Sequence, residues 1–249
     1  MRLIFIRHGD PDYVNDSLTE KGVREAKLLA QRVAGWKDID EFFVSPLGRA
    51  AETASYSLEA LGREGTTCDW LREFAYRVDD PITGRNHVPW DFMPSYWTVQ
   101  DDMSDRDKWI DNALLNSNPK LKDRYKEVVA GIDNILAGYG YVRDGRIYRT
   151  DHKTDTWGPG LERPEQDHTL CFFCHFGVTG YITGHLLGIS PMQILHGFFM
   201  PPTGVTILAS EERIPGEVAF RAQVFGDTSH LLGKEPVSPA GYFTNIFSE

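Results

Sequence analysis

Three cysteines in 249 residues are too few for a disulfide framework. Two of them, Cys171 and Cys174, form a C-x-x-C inside Thr-Leu-Cys-Phe-Phe-Cys-His-Phe. That stretch reads as a buried strand, where side chains three apart point to opposite faces. A reactive pair would sit at a helix N-terminus instead, so inert buried thiols are expected. Long apolar runs are missing too. Met-Arg-Leu-Ile-Phe-Ile-Arg-His opens with an apolar run of only four residues, and no later stretch approaches eighteen. Neither a signal peptide nor a membrane span is expected, and a cytoplasmic location follows. Positive charge is also short. With 26 Lys+Arg against 36 Asp+Glu the net charge is −10, and no basic run gathers a patch, so nucleic acid is not an expected partner. No repeat and no low-complexity tract interrupts the chain. At 41% hydrophobic and 25% charged, the composition is that of a globular protein able to bury a substantial core.

The pattern of what is present alternates. Residues 2–7 read as a buried strand. Thr19 is an N-cap candidate before a helix carrying Val23, Ala26, Leu29, Ala30 and Val33 at helical spacing. Residues 41–45 suit a second strand, and Ser45-Pro46 a second helix with Ser as cap, running to about Leu61. Residues 67–71 suit a third strand. Region 74–118 breaks the alternation and holds seven aromatics between Phe74 and Trp109, a denser supply than the chain's 12%. A helix over about 120–136 follows, then a hairpin signal at Asp144-Gly145 between residues 139–143 and 146–150. Residues 151–167 are turn-rich. Strand 170–174, helix 177–187, a Ser190-capped short helix and strands 205–209 and 218–225 complete the pattern. These elements predict a three-layer α/β/α sandwich with a mixed, mostly parallel sheet. It forms one domain over 1–249, with an inserted cap at about 74–118 and a flap at about 139–167.

In such a sheet, ligands bind beyond the C-terminal ends of the strands. Arg7-His8-Gly9 follows the first strand. Ser45-Pro46-Leu47-Gly48-Arg49 follows the second and puts Arg49 in the first turn of a helix, where the dipole favours anions. A cation there makes sense beside an external anion, or as a surface ion pair with Glu52 or Asp10. Glu73 follows the third strand and His175 the fourth. Each residue is ordinary alone, but their joint placement at corresponding strand ends is hard to explain by packing.

Arg7-His8-Gly9, Ser45-Pro46-Leu47-x-Arg49-Ala50-x-Glu52-Thr53-Ala54, Glu73 and His175-x-Gly177, together with Leu18-Thr19-Glu20-Lys21-Gly22, resemble the histidine phosphatase superfamily. This is the phosphoglycerate-mutase-like group. The resemblance covers residues 1–73 closely and resumes near 170–230. It implies that His8 attacks phosphorus and forms a phosphohistidine, that Arg7, Arg49 and His175 bind the phosphoryl oxygens, and that Glu73 is the acid and then the base. It implies no cofactor and no metal, since cationic side chains neutralise the phosphoryl charge. Asn15, Thr19, Gly22, Arg77 and His230 are the further candidates for contacting substrate. The expected partner is a small-molecule phosphate ester, with a homodimer as a further expectation.

The chain departs from the group's pattern in two places. Asp10-Pro11-Asp12-Tyr13 follows Arg-His-Gly where many relatives carry Glu and then Asn. Glu73-Phe74-Ala75-Tyr76-Arg77 stands where the mutase branch shows Glu-Arg-x-Tyr-Gly. The second departure favours a phosphatase over a cofactor-dependent phosphoglycerate mutase. A catalytically silent phosphate- or phosphoprotein-binding module is the third reading, and Glu73 argues against it. The cap aromatics either stack on a ring-bearing leaving group or form a small core of the cap's own. His87, His152, His168, His185 and His196 fit no metal spacing and read as structural or exposed.

Overall fold

The computed structural model describes residues 1–90, 92–151 and 168–237. Its first strand, Arg2–Arg7, shows why the sandwich forms. Leu3 and Phe5 point to one face, Ile4 and Ile6 to the other, and all four are buried. A strand apolar on both faces must be covered on both faces. On one side Ile4, Ile6, Phe42, Val44, Cys171 and Phe173 pack on Leu29 and Val33 of helix Glu20–Val33 and Ala54 of helix Gly48–Leu61. On the other, Leu3, Phe5, Phe43 and Phe172 share a cluster with Val128 and Ile132 of helix Pro119–Gly138 and Val178 and Ile182 of helix Phe176–Leu187. Cys171 and Cys174 fall in different clusters, on opposite faces, as free buried thiols. Burial pushes both thiols up, Cys174 to about 12.

The main sheet runs Thr66–Thr67, Glu41–Val44, Thr169–Cys174, Arg2–Arg7, Val205–Ile214, Glu217–Asp227, Ile147–Arg149, Val142–Asp144. Its first four strands are mutually parallel. The remaining four pairings are antiparallel, so the sheet is mixed as expected but not mostly parallel. The reason is local. Gly216, at φ +80°, turns the last two long strands into a hairpin, and Gly145, at φ +59°, does the same for the hairpin expected at Asp144-Gly145, which then joins the sheet edge. No described helix is long and apolar enough to cross a membrane.

Three further expectations are corrected. The third strand is only Thr66–Thr67, and Asp69–Leu71 winds into a single 3-10 turn. The second helix starts at Gly48 with Leu47 in the cap position, so Ser45 does not cap it. The 74–118 stretch does consist of short pieces, among them the pair Val78–Asp79 with Asn86–His87 and the helices Pro94–Trp97 and Asp101–Ser104. However, its Phe92, Met103, Trp109 and Leu115 belong to the same cluster as the sheet, so these aromatics extend the main core rather than make a separate one. Residues 152–167, with His152 and most of the flap expectation, lie outside the described residues.

Candidate active site

The C-terminal ends of the four parallel strands bring His8, Arg49, Glu73 and His175 to one edge of the sheet. The His8 N–H continues the ladder to the Cys174 carbonyl (3.0 Å), which sets His8 beside His175, with ring centroids 5.1 Å apart. His8 Nδ1 donates to the Gly9 carbonyl (2.7 Å). One proton on Nδ1 of a neutral ring leaves Nε2 as a lone pair. Burial pushes the His8 imidazole well below its ordinary value, with Arg7 and Arg49 adding to the effect and the Gly9 carbonyl opposing it. His8 is therefore a neutral, oriented imidazole at neutral pH.

Gly9 owes its identity to backbone rather than to a ligand. A Cβ there would stand 2.8 Å from the Gly22 carbonyl oxygen. Gly22 in turn has room for no Cβ, because the Asp10 carbonyl would lie 2.2 Å away. Gly9 N–H donates to Thr53 Oγ1 (2.9 Å), which ties the His8 loop to the second helix. Gly22 and Thr19 are thus structural, Thr19 Oγ1 accepting from Gly22 N–H as the N-cap and donating to Asp10 Oδ2.

Arg49 is nearly buried and its ion-pair partner is neither Glu52 nor Asp10. Asp16 Oδ1 accepts from Arg49 Nη1, while Asp16 Oδ2 accepts from Gly48 N–H (2.7 Å) at the open end of the helix. The helix terminus that seemed to call for an external anion already has a carboxylate on it. Asp16 holds φ at +49°, a conformation Asp tolerates better than most residues. Only the three-dimensional turn over residues 12–18 shows this pairing, since the two residues are 33 positions apart. Tyr13 lies with its ring 5.4 Å from the Arg49 guanidinium carbon.

Ser45, freed from capping, contacts His175 Nε2 through Oγ (2.8 Å). His175 is fully buried, and burial, followed by His8, Arg49 and Arg7, pushes it well below its ordinary value. Arg7 Nη1 donates to the Met200 carbonyl (2.6 Å). Three buried nitrogens on these residues, Arg7 Nε, Arg49 Nε and His175 Nδ1, have no hydrogen-bond partner.

Glu73 is set by two devices that sequence reasoning missed. Arg124, a fully buried side chain, donates through Nη2 to the carbonyls of Trp70 (2.8 Å) and Arg72 (2.6 Å), fixing the turn that precedes Glu73. The carboxylate itself sits at the start of helix Phe176–Leu187. Oε1 accepts from Phe74 N–H (2.8 Å) and Val178 N–H (3.0 Å), Oε2 from Gly177 N–H (3.2 Å).

A cavity of ≈ 790 Å³ opens beside this cluster, with the buried His8 and His175 behind its lining. Arg7, Arg49, Glu73 and Arg77 line it, with the apolar Leu47, Ala75, Val88 and Leu195 and the aromatic Tyr13, Trp90, Phe176, Phe198 and Phe199. Arg77 thus reaches the cavity, its Nη1 donating to the Asn86 carbonyl (2.9 Å). Asn15 and His230 do not line it. Asn15 is exposed and folded onto Asp12, with Nδ2 donating to Oδ2 (2.7 Å). His230 stands behind the site, its Nε2 against Thr203 Oγ1 (3.0 Å), while Thr203 N–H donates to the His8 carbonyl (3.1 Å). His87, His168 and His185 pair with Asp80, Asp40 and Asp133 and lie outside this cluster.

Solved structures share this architecture. A mycobacterial glucosyl-3-phosphoglycerate phosphatase is 18% identical, with a TM-score of 0.56 over 90% of this chain and 98% of that one. A phosphoserine phosphatase from Entamoeba histolytica is 19% identical, with a TM-score of 0.55 over 93% and 99%. An alpha-ribazole phosphatase from Shigella flexneri is 16% identical, with a TM-score of 0.52 over 92% and 97%. At these identities the likeness is one of fold. No curated protein sequence is significantly similar. The model of the histidine phosphatase superfamily (branch 1) matches residues 3–138, more than half of the chain, and spans the strand ends that bear His8, Arg49 and Glu73. The chain therefore belongs to the histidine phosphatase superfamily.

Proposed function

We propose that this protein is a metal-independent phosphatase that hydrolyses a small-molecule phosphomonoester through a phosphohistidine on His8. The observation that carries the reading is the buried, neutral His8, its Nδ1 spent on Gly9 and its Nε2 free to attack, beside three cationic or donor side chains with unpartnered nitrogens. A phosphoryl group bound there would supply acceptors to Arg7 Nε and Arg49 Nε. With Ser45 donating to Nε2 of His175, the His175 proton stands on Nδ1 as a third donor. Phosphoryl transfer asks mainly for in-line positioning and charge neutralisation, which this set provides.

His8 Nε2 attacks phosphorus, the ester P–O bond breaks, and the leaving oxygen takes the proton of a neutral Glu73 carboxyl, leaving its carboxylate. Oε2 is the carboxyl oxygen held by a single, longer N–H contact, and it is the one that moves the proton. Glu73 then takes a proton from water, whose oxygen attacks phosphorus, releasing inorganic phosphate and restoring Nε2.

Release of phosphate from p-nitrophenyl phosphate in EDTA, wild type beside His8→Ala, tests this. Turnover that survives EDTA and falls by about 10⁴ or more in the variant is expected, on the scale of removing a covalent nucleophile. Equal activity in both proteins would refute the mechanism. Interconversion of phosphoglycerates stimulated by 2,3-bisphosphoglycerate would assign the mutase reading instead.

A further inference from the structure

We infer that the substrate is the phosphate monoester of an alcohol bearing an aromatic ring, held ring-first against an aromatic wall. This rests on the phosphatase reading and names its substrate class. The cavity is of the size that holds a whole small molecule, so most of it serves the leaving group. Five aromatic residues line that space: Tyr13, Trp90, Phe176, Phe198 and Phe199. Tyr13, Phe198 and Phe199 are 67%, 49% and 41% exposed, an unusual concentration of large apolar surface at one opening.

What the wall lacks is as informative. Among the described lining residues only Tyr13 has a hydroxyl, and none has a side-chain amide. A sugar or glycerate leaving group would give up water for its hydroxyls and find few partners, at a cost for each one left unmade. A ring loses nothing on that account and gains stacking. Arg77 also lines this space with Nη1 on the Asn86 carbonyl, so its remaining N–H groups suit one polar or anionic substituent on the ring.

Trp90 ties the wall to the chemistry. A Cβ built on Gly177 would stand 2.7 Å from Trp90 Cη2 and 2.5 Å from Glu73 Oε1. The indole edge and the acid therefore flank the same glycine. A ring stacked along Trp90 would put its ester oxygen beside Glu73.

The experiment compares kcat/KM for benzyl phosphate and glycerol 2-phosphate, two alkyl esters of similar leaving-group basicity, so that binding rather than leaving ability is read. Benzyl phosphate is expected to be favoured about 10²-fold. Trp90→Ala, and independently the exposed-site variant Phe199→Ala, should each lower the benzyl value about tenfold. Both should lower the ratio of benzyl to glycerol 2-phosphate kcat/KM by that order, which a general loss of structure would not do. A ratio near one, or variants that lower both esters alike, would overturn the inference while leaving the phosphatase reading intact. Calorimetric binding of benzylphosphonate against 2-hydroxyethylphosphonate reads the same preference without turnover. If neither ester is hydrolysed yet benzylphosphonate binds the more tightly, the phosphatase reading fails and the ring preference of the site stands; if the two phosphonates bind equally, the aromatic-ring inference fails.

Discussion

The two ends of the cavity are built by opposite rules. At the end where we propose that phosphate binds, every side chain is charged or titratable and held by a named partner: His8 by Gly9, Arg7 by Met200, Arg49 by Asp16, His175 by Ser45. At the other end the side chains are aromatic, partly exposed and held by packing, as where Phe198 lies 5.0 Å from Phe225. The first end demands one geometry, because in-line transfer tolerates little displacement. The second demands only shape and apolar surface, so it can differ among relatives that share the first.

The sharpest way to probe the rigid end is Arg49→Lys. Lysine keeps the charge but not the planar fork that can face Asp16 and phosphate together. Removing one preorganised donor from a charge-stabilising set costs about 10²–10³ in kcat, and that range is expected here. Steady-state kinetics on any hydrolysed ester checks it, and a loss under tenfold would mean that Arg49 acts only as a point charge.

Gly177→Ala strikes both ends at once. Its methyl has no space between Glu73 Oε1 and Trp90, so one or both must shift. A displacement near 1 Å at a catalytic group can cost about 10² in rate, and kcat should fall by that order. The decisive readout is the pattern across leaving groups. If the two ends are coupled through Gly177, kcat falls for all esters and the ring preference shrinks too. If only kcat falls, Glu73 moved and the wall did not.

The same contrast explains how much the sequence revealed. The clustering of His8, Arg49 and His175 was legible because these residue types stand at strand ends, and Arg7-His8-Gly9 and the Ser45–Arg49 stretch carry them in short spans. The wall was not legible, because Trp90 lining a cavity and Trp109 filling the core look alike in a string of letters. Local signals mislead where a distant partner overrides them. Ser45-Pro46 has the form of a helix start, but His175, 130 positions away, takes the hydroxyl and Asp16 takes the helix end. Residues 67–71 have strand character, yet Arg124 collects the carbonyls of Trp70 and Arg72, and the chain turns. The balance of parallel and antiparallel pairs escapes the sequence pattern for a related reason: the hairpins at Gly145 and Gly216 add antiparallel strands to one edge only.

A smaller effect is expected from Asp16→Asn. Asparagine tolerates the positive φ and keeps an acceptor for Gly48 N–H, but it removes a negative charge from the cation that phosphate is to meet. Asp16 is 41% exposed at its side chain, so screening limits the gain to about 1 kcal/mol. Inorganic phosphate should then inhibit about fivefold more tightly at low salt, with the gain fading as salt is added. Weaker inhibition instead would show that Asp16 serves mainly to hold Arg49 in place.

The least effect on turnover belongs to His230, which meets His8 only through Thr203 and does not line the cavity. Arg32 Nη1 lies 3.4 Å from its Nδ1, and Thr203 Oγ1 3.0 Å from its Nε2. Burial, and then Arg32 and Lys234 against the opposing Asp227, lower its pKa from 6.5 to about 4. The folded pKa lies below the unfolded one, so the stability it contributes is present above about pH 6.5 and is lost as pH falls towards 4, where the unfolded chain binds a proton the native one refuses. The amount at stake over that window is on the order of 3 kcal/mol, at 1.36 kcal/mol per unit. His230→Gln keeps a donor for Thr203 and cannot titrate. Its kcat/KM at pH 7 should stay within about twofold of wild type, while its melting temperature should fall less steeply between pH 6.5 and 4. The slope will not vanish, because His8 and His175 are also buried and neutral and resist protonation in the same direction. A variant that loses most of its activity at pH 7 would put His230 among the residues that set His8 through Thr203, and the back of the site would then belong with its rigid end.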